Sequence, residues 1–369
     1  MTVRLGVLGC GGIARSAHLP SLARLPIVRI VAVADRDPES LSAARVLAPT
    51  ARALSDYADV LDMPDVDAVV IALPPALHAD AAIQALQRGQ SVYVEKPLAT
   101  SLSDARRVVA ATAAATADAT AARPIAMMGF NYRWNPLIRQ ARARIAAGVL
   151  GKPVAVRTVF STAAREIPQW KRHRDSGGGV LLDLGVHHVD LARFLTGAEV
   201  ATVFADVRST RTEHDTALLQ MVLTNGVMVH SMFSLSAVDE DRLEVYGTDA
   251  KLTVDRYRSL RVEALPATAG GTVGLAVARF LGELAALPYA LRKSRAPLND
   301  PSFPAALEAF VRSVRSGSAA SPDITDGLRS VAVIEAAELS ARTGRAVSLG
   351  ADAEATSMSL GPAADLARA

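Results

Sequence analysis

The chain runs from a short apolar stretch, Val3 to Leu8, straight into Gly9-Cys10-Gly11-Gly12-Ile13-Ala14. The stretch has the length and branching of a buried strand. Gly9-x-Gly11-x-x-Ala14 then turns the chain into a helix. Gly9 permits a tight turn, Gly11 removes the side chain that would block a pyrophosphate, and Ala14 lets helix and strand pack closely. The free N–H groups of the new helix, and its dipole, favour phosphate. Val28 to Ala34 reads as a second buried strand. It ends in Asp35, 21 residues after Ala14, where a carboxylate can grip a ribose 2′-hydroxyl. Strand, glycine loop, helix, strand and acid in this order predict a dinucleotide site. A carboxylate at Asp35 repels a 2′-phosphate, so NAD is expected over NADP. Arg36 works the other way, able to stack on adenine or pair with that phosphate.

At 369 residues the chain has room for two domains. Forty basic against 37 acidic residues give a net charge of +3, and no long basic run stands out, so nucleic acid is a poor partner. The single cysteine, Cys10, excludes an internal disulfide and any cysteine-cluster metal site. The N-terminus enters the first strand without a signal peptide, and the cytoplasm is the expected compartment. The longest apolar stretch, Thr272 to Leu291, is interrupted by Arg279, Glu283 and Pro288 and is too broken for a membrane span. With the basic Arg292, Lys293 and Arg295 behind it, it reads as an arm on a neighbouring subunit or a lid.

The first third alternates strand and helix, the rhythm of a doubly wound parallel sheet. Ligands of such sheets bind at the carboxyl ends of the strands, here Gly9, Asp35, Leu73-Pro74 and Glu95-Lys96. After about residue 130 the rhythm changes. A helix over 135–147, a strand over 154–162 and a long helix over 180–195 precede a series of strands, with Asn225-Gly226 as a hairpin signal. The fold class expected is α/β: an N-terminal Rossmann domain over 1–125, an α+β domain with a large open, mostly antiparallel sheet over 126–349, and a flexible tail over 350–369.

Three features carry chemistry. Lys96, between Glu95 and Pro97 at a strand end, can hydrogen-bond a substrate hydroxyl; equally, it can be a solvated surface lysine. In Gly179-Val180-Leu181-Leu182-Asp183-Leu184-Gly185-Val186-His187-His188-Val189-Asp190, Asp183 and His187 are four apart and share a helix face. A carboxylate beside an imidazole fixes its tautomer and stabilises its protonated form, which suits a base. The bland reading is an ordinary helix pair, with His188 a core or surface histidine. Trp170-Lys171-Arg172-His173-Arg174 is a polar loop able to hydrogen-bond a polyhydroxylated ligand. A metal-dependent hydrolase built on His187, His188 and Asp190 leaves Lys96 and Asp35 unexplained.

The glycine loop, Glu95-Lys96-Pro97, Gly129-Phe130-Asn131-Tyr132-Arg133 and the Gly179–Asp190 block together resemble the glucose–fructose oxidoreductase/inositol dehydrogenase/MocA family over about residues 3–345. The resemblance implies NAD- or NADP-dependent oxidation or reduction of a sugar, inositol or related polyol, including some nucleotide-linked sugars. It implies Lys96, Asp183 and His187 as the catalytic group. It places Leu73, Pro74, His78, Glu95 and Arg133 at the cofactor, beside the loop residues and Arg36. Trp170, Arg172 and Arg174 join the catalytic group as candidate substrate contacts, and no metal is expected. The open sheet often forms the oligomer interface in this family, so a homo-oligomer, dimer or tetramer, is expected. The stretch from about Ala264 to Asn299 is longer and more apolar than the family pattern. The rival from another class is a non-catalytic dinucleotide sensor, which has no need of an acid–base group.

Overall fold

The computed structural model describes residues 2–117, 123–267, 285–350 and the backbone of 358–360. Two compact units result. One comprises Met1–Trp134, Asp175–Gly177 and Ala296–Val331; the other Asn135–Arg174, Gly178–Arg295 and Ala332–Ala369.

The first unit is built on a six-stranded sheet, all of it parallel. Its strands are β1 (Val3–Leu8), β2 (Val28–Ala34), β3 (Arg52–Leu54), β4 (Ala68–Ile71), β5 (Ser91–Val94) and β6 (Ala126–Met128), in the order β3-β2-β1-β4-β5-β6. β1, β4 and β5 are buried almost throughout, which is why they read as continuous apolar runs rather than alternating ones. Helix starts carry visible signals. Asp37 accepts from Ser40 N–H at 3.0 Å ahead of Pro38. Ser101 accepts from Asp104 N–H at 3.1 Å, opening the helix Leu102–Ala115.

β6 lies past the expected boundary at 125/126, within this sheet. β6 pairs with β5 through Val92↔Ala126 and completes the parallel edge. The helix Ser302–Ser316, expected in the second domain, buries Leu307, Phe310 and Val311 in the core that holds Leu5 and Tyr93. The Tyr93 and Phe310 ring centroids lie 5.7 Å apart. A sequence-distant segment thus closes the first core.

The second unit holds a nine-stranded sheet: β7 (Pro153–Ser161), β8 (Val200–Arg208), β9 (Thr216–Leu223), β10 (Met228–Ser234), β11 (Glu240–Gly247), β12 (Ala250–Asp255), β13 (Glu263–Pro266), β14 (Val347–Leu349) and β15 (Met358–Leu360). The order is β13-β12-β11-β7-β10-β9-β8-β14-β15, antiparallel except for β7 beside β10. Asn225-Gly226 makes the β9–β10 turn, with Gly226 at φ +83°. β9 alternates strictly between buried and exposed residues, the pattern of a sheet with one solvated face. The tail expected over 350–369 is a strand at Met358–Leu360, paired with β14; the rest of it lies outside the described residues. So does the apolar segment up to residue 284. Its basic end forms the helix Leu287–Arg295, with Leu287 and Leu291 exposed.

Candidate active site

The glycine loop follows from β1. Gly9 has φ +90°, and a Cβ there would sit 2.5 Å from Ala72 O, so only glycine fits. At Gly11 and Gly12 a Cβ would meet nothing within 4 Å. The loop therefore presents bare backbone to open space beside β2, an arrangement that fits a dinucleotide pyrophosphate. Asp35 completes the loop: Cys10 N–H donates to its Oδ2 at 2.6 Å and Asp37 N–H to its Oδ1 at 2.9 Å. Cys10 is buried, and burial with Asp35 nearby pushes its thiol up to about 12, so it packs as a neutral group. Ile13 and Ala14 carry the loop into a π-helical turn over Ala14–His18. Arg36 is exposed and stands 4.0 Å from Asp56.

At the ends of β4 and β5 the remaining candidates of this unit meet. Lys96 is half-buried and its N–H donates to Glu95 Oε2 at 3.1 Å. Pro74 opens the turn that leads to His78. His78 is buried, with Nδ1 2.7 Å from Pro97 O and Nε2 2.8 Å from Leu73 O. Glu95 Oε1 meets His18 Nε2 at 2.9 Å. Burial works against a charge on Glu95, but the bond and charge of His18, with Lys96 and His78, hold its carboxyl below the usual range. Arg133 makes a bidentate pair with Asp326 at 2.8 and 2.9 Å. His78, Glu95 and Arg133, expected at the cofactor, thus have protein partners here. Each side chain is engaged by protein groups of its own unit.

The second unit positions Asp183 and His187. The helix expected over 180–195 begins as a π-helical turn, Leu181–Gly185, and continues as an α-helix over Val186–Thr196, ended by Gly197 at φ +66°. A π-turn inside a helix often marks a functional position. Lys171 Nζ donates to both oxygens of Asp183, at 2.9 and 3.1 Å, and lies 5.4 Å from the Trp170 ring centroid. The i, i+4 spacing gives no hint of this partner. His187 is 6% exposed, its ring 6.2 Å from that of Phe160. His188 is fully buried; its ring stacks on Phe160 at 5.2 Å, and Nε2 donates to Asp241 Oδ1 at 3.0 Å. Arg256 Nε donates to the other oxygen of Asp241 at 2.7 Å. Burial opposes ionisation of Asp241, yet Arg256 and His188 hold its carboxyl below the usual range.

The substrate loop divides. Arg172 is exposed and lines a surface pocket of about 420 Å³ with His173 and residues 209–213. Arg174, expected as a substrate contact, pairs its guanidinium with Glu338 in bidentate fashion. Asp190 lies 3.5 Å from Arg193. Among the described residues no group of three or more His, Cys, Asp or Glu could hold a metal ion, and no helix is long and apolar enough to cross a membrane. The pairings His18–Glu95, Lys171–Asp183 and His188–Asp241 escaped the sequence reading because the two partners lie on different elements.

Residues 3–121 match the model of an oxidoreductase family with an NAD-binding Rossmann fold, and residues 138–253 that of the GFO/IDH/MocA C-terminal domain. A dTDP-3,4-didehydro-2,6-dideoxy-alpha-D-glucose 3-reductase of Streptomyces violaceoruber is 32% identical over 268 residues, 70% of this chain and 74% of that protein. The scyllo-inositol 2-dehydrogenase (NAD(+)) of Bacillus subtilis is 28% identical over 275 residues, 72% of this chain and 77% of that protein. The solved WlbA dehydrogenase from Bordetella pertussis, in complex with NADH and UDP-GlcNAcA, shares the fold with a TM-score of 0.81 at 24% identity, over 95% of this chain and 99% of that one.

Proposed function

The chain belongs to the GFO/IDH/MocA oxidoreductase family, and from that premise we propose that it transfers a hydride between a nicotinamide dinucleotide and a hydroxyl or carbonyl carbon of a sugar, inositol or related polyol, nucleotide-linked sugars included. The observation that carries the reading is the open backbone cradle at Gly11 and Gly12 beside the fixed carboxylate of Asp35. Gly9 to Ala14, with Leu73 and Pro74, hold the dinucleotide, and His78, Glu95 and Arg133 support that surface from within the first unit.

When bound, the nicotinamide supplies the carbon that accepts or gives the hydride. The chain's own residues handle the proton. In the oxidative direction His187 takes the hydroxyl proton, directly or through Lys96. Lys96 donates a hydrogen bond to the oxygen that becomes the carbonyl. Asp183 fixes the tautomer of His187 and stabilises its imidazolium, while Lys171 fixes the carboxylate itself. Trp170 and Arg172 contact the polyol.

Asp35 favours NAD over NADP. The solvated face of the second sheet, with Leu218, Val222 and Met228 between 41% and 57% exposed, supports assembly into a homo-oligomer, dimer or tetramer. Substrate binding and assembly fall to the second unit, and the cytoplasm is the compartment assigned.

Absorbance at 340 nm, followed with NAD on a panel of polyols and sugars and with NADH on their keto forms, tests the reaction. Turnover of at least one substrate is expected. Tight NADH binding with no turnover across the panel would replace this reading with a dinucleotide sensor.

A further inference from the structure

Two buried histidines bracket the turn that carries Lys96. His18 lies on the first helical turn after the glycine loop and is fully buried. Its Nε2 is 2.9 Å from Glu95 Oε1, and the other oxygen of Glu95 accepts the Lys96 N–H at 3.1 Å. Gly129 leaves room for this carboxylate: a Cβ there would lie 3.2 Å from Glu95 Cδ and 3.0 Å from its Cα. On the far side of Lys96, His78 stands between two carbonyls, Pro97 O at 2.7 Å and Leu73 O at 2.8 Å. These belong to the segments leaving β5 and β4. The residue before Lys96 and the residue after it are therefore each held by a different imidazole.

We infer that His18 and His78 are positioning residues for Lys96, His18 acting through the Glu95 carboxylate and His78 through the Pro97 carbonyl. This rests on the reading of Lys96 as a group that touches substrate. A lysine side chain has four rotatable bonds, so its ammonium is aimed only as well as its backbone is fixed. A misplacement of about 1 Å in a reacting group can cost about 100-fold in rate. Packing alone does not explain two imidazoles here. A buried carboxylate and two converging carbonyls are costly unless partnered, and each histidine meets polar atoms of the Lys96 turn and its neighbour. The arrangement also couples the glycine-loop helix to the Lys96 turn, because His18 belongs to the one and Glu95 to the other.

The test uses the full chain and two independent readouts. The first is kcat on the best substrate of the panel, with the Kd for NADH measured alongside. The second is the ¹³C resonance of Lys96 after reductive dimethylation, assigned with Lys96→Arg. The sequence has five lysines, few enough to resolve. His18→Leu and His78→Leu should each lower kcat at least about 10-fold; the NADH Kd should change less than about 3-fold for His18→Leu, while His78→Leu, which also frees the Leu73 carbonyl, should weaken NADH binding as well. Both should move the Lys96 dimethylamine ¹³C resonance away from its wild-type position. His18→Gln, which keeps a donor toward Glu95, should restore both readouts to near wild type. Should a leucine variant fail to fold, Glu95→Gln carries the same test with the same expected shift. Folded variants that keep the wild-type Lys96 resonance and wild-type kcat would overturn the inference and leave the histidines a role in stability alone. If no substrate is turned over, the Lys96 resonance still decides this inference, while the proposed reaction fails separately.

Discussion

At Asp35 two backbone N–H groups already fix the carboxylate, one from the glycine loop and one from the start of the next helix. A carboxylate so held has one lone-pair direction on each oxygen left for a ribose hydroxyl. It repels a 2′-phosphate. NADH should therefore bind more tightly than NADPH, and Asp35→Ser should erase most of the preference; a wild-type Kd lower for NADPH contradicts this role. The proton-handling residues give a second residue-scale prediction. Removing a general base costs about 100-fold to 10,000-fold in rate. Lys96→Ala and His187→Ala should each lose at least about 100-fold in kcat while the NADH Kd stays near wild type. His188→Asn should retain far more activity, because that ring serves Asp241. Steady-state kinetics of the three variants side by side separates these roles, and near-normal turnover of His187→Ala sinks the mechanism.

Among elements, the helix that carries His187 is anchored through its neighbour. His188, Asp241 and Arg256 come from a helix, β11 and the end of β12, and their bonds lie in the core. Asp241→Asn leaves the Arg256 guanidinium, 12% exposed, facing a neutral amide and should cost about 3 kcal/mol. The folded carboxyl titrates below its ordinary value near 3.8, so its contribution is complete above that pH and lost as pH falls through the lower folded value. Urea denaturation at pH 7 and pH 3 should show wild type losing stability in acid and Asp241→Asn losing less. Equal losses would remove Asp241 from the account. The hairpin at Asn225-Gly226 was legible because its signal is local and acts within the turn itself. The π-turn at Leu181–Gly185 carries no local signal, since side-chain spacing alone suits an unbroken α-helix there. His18–Glu95 and Lys171–Asp183 were illegible for a related reason: nothing in either segment names the other.

For the whole molecule, alternation of strand and helix revealed the parallel sheet. It could not reveal that Ser302–Ser316 completes the first core, because the hydrophobic face of that helix suits either domain equally. Sheet alternation did expose one solvated face, with Leu218, Val222 and Met228. Exposed apolar side chains grouped on one sheet face are what the proposed subunit interface would cover. The double variant Leu218→Asp, Met228→Asp should yield monomers by light scattering, whereas an unchanged mass would place the interface elsewhere. At the centre of the account stands direct hydride transfer. The measurement closest to it is proton NMR of the NADH formed from a substrate deuterated at its carbinol carbon. Deuterium at C4 of the nicotinamide is the predicted result. NADH carrying only hydrogen at C4 would contradict the reaction assigned to this chain.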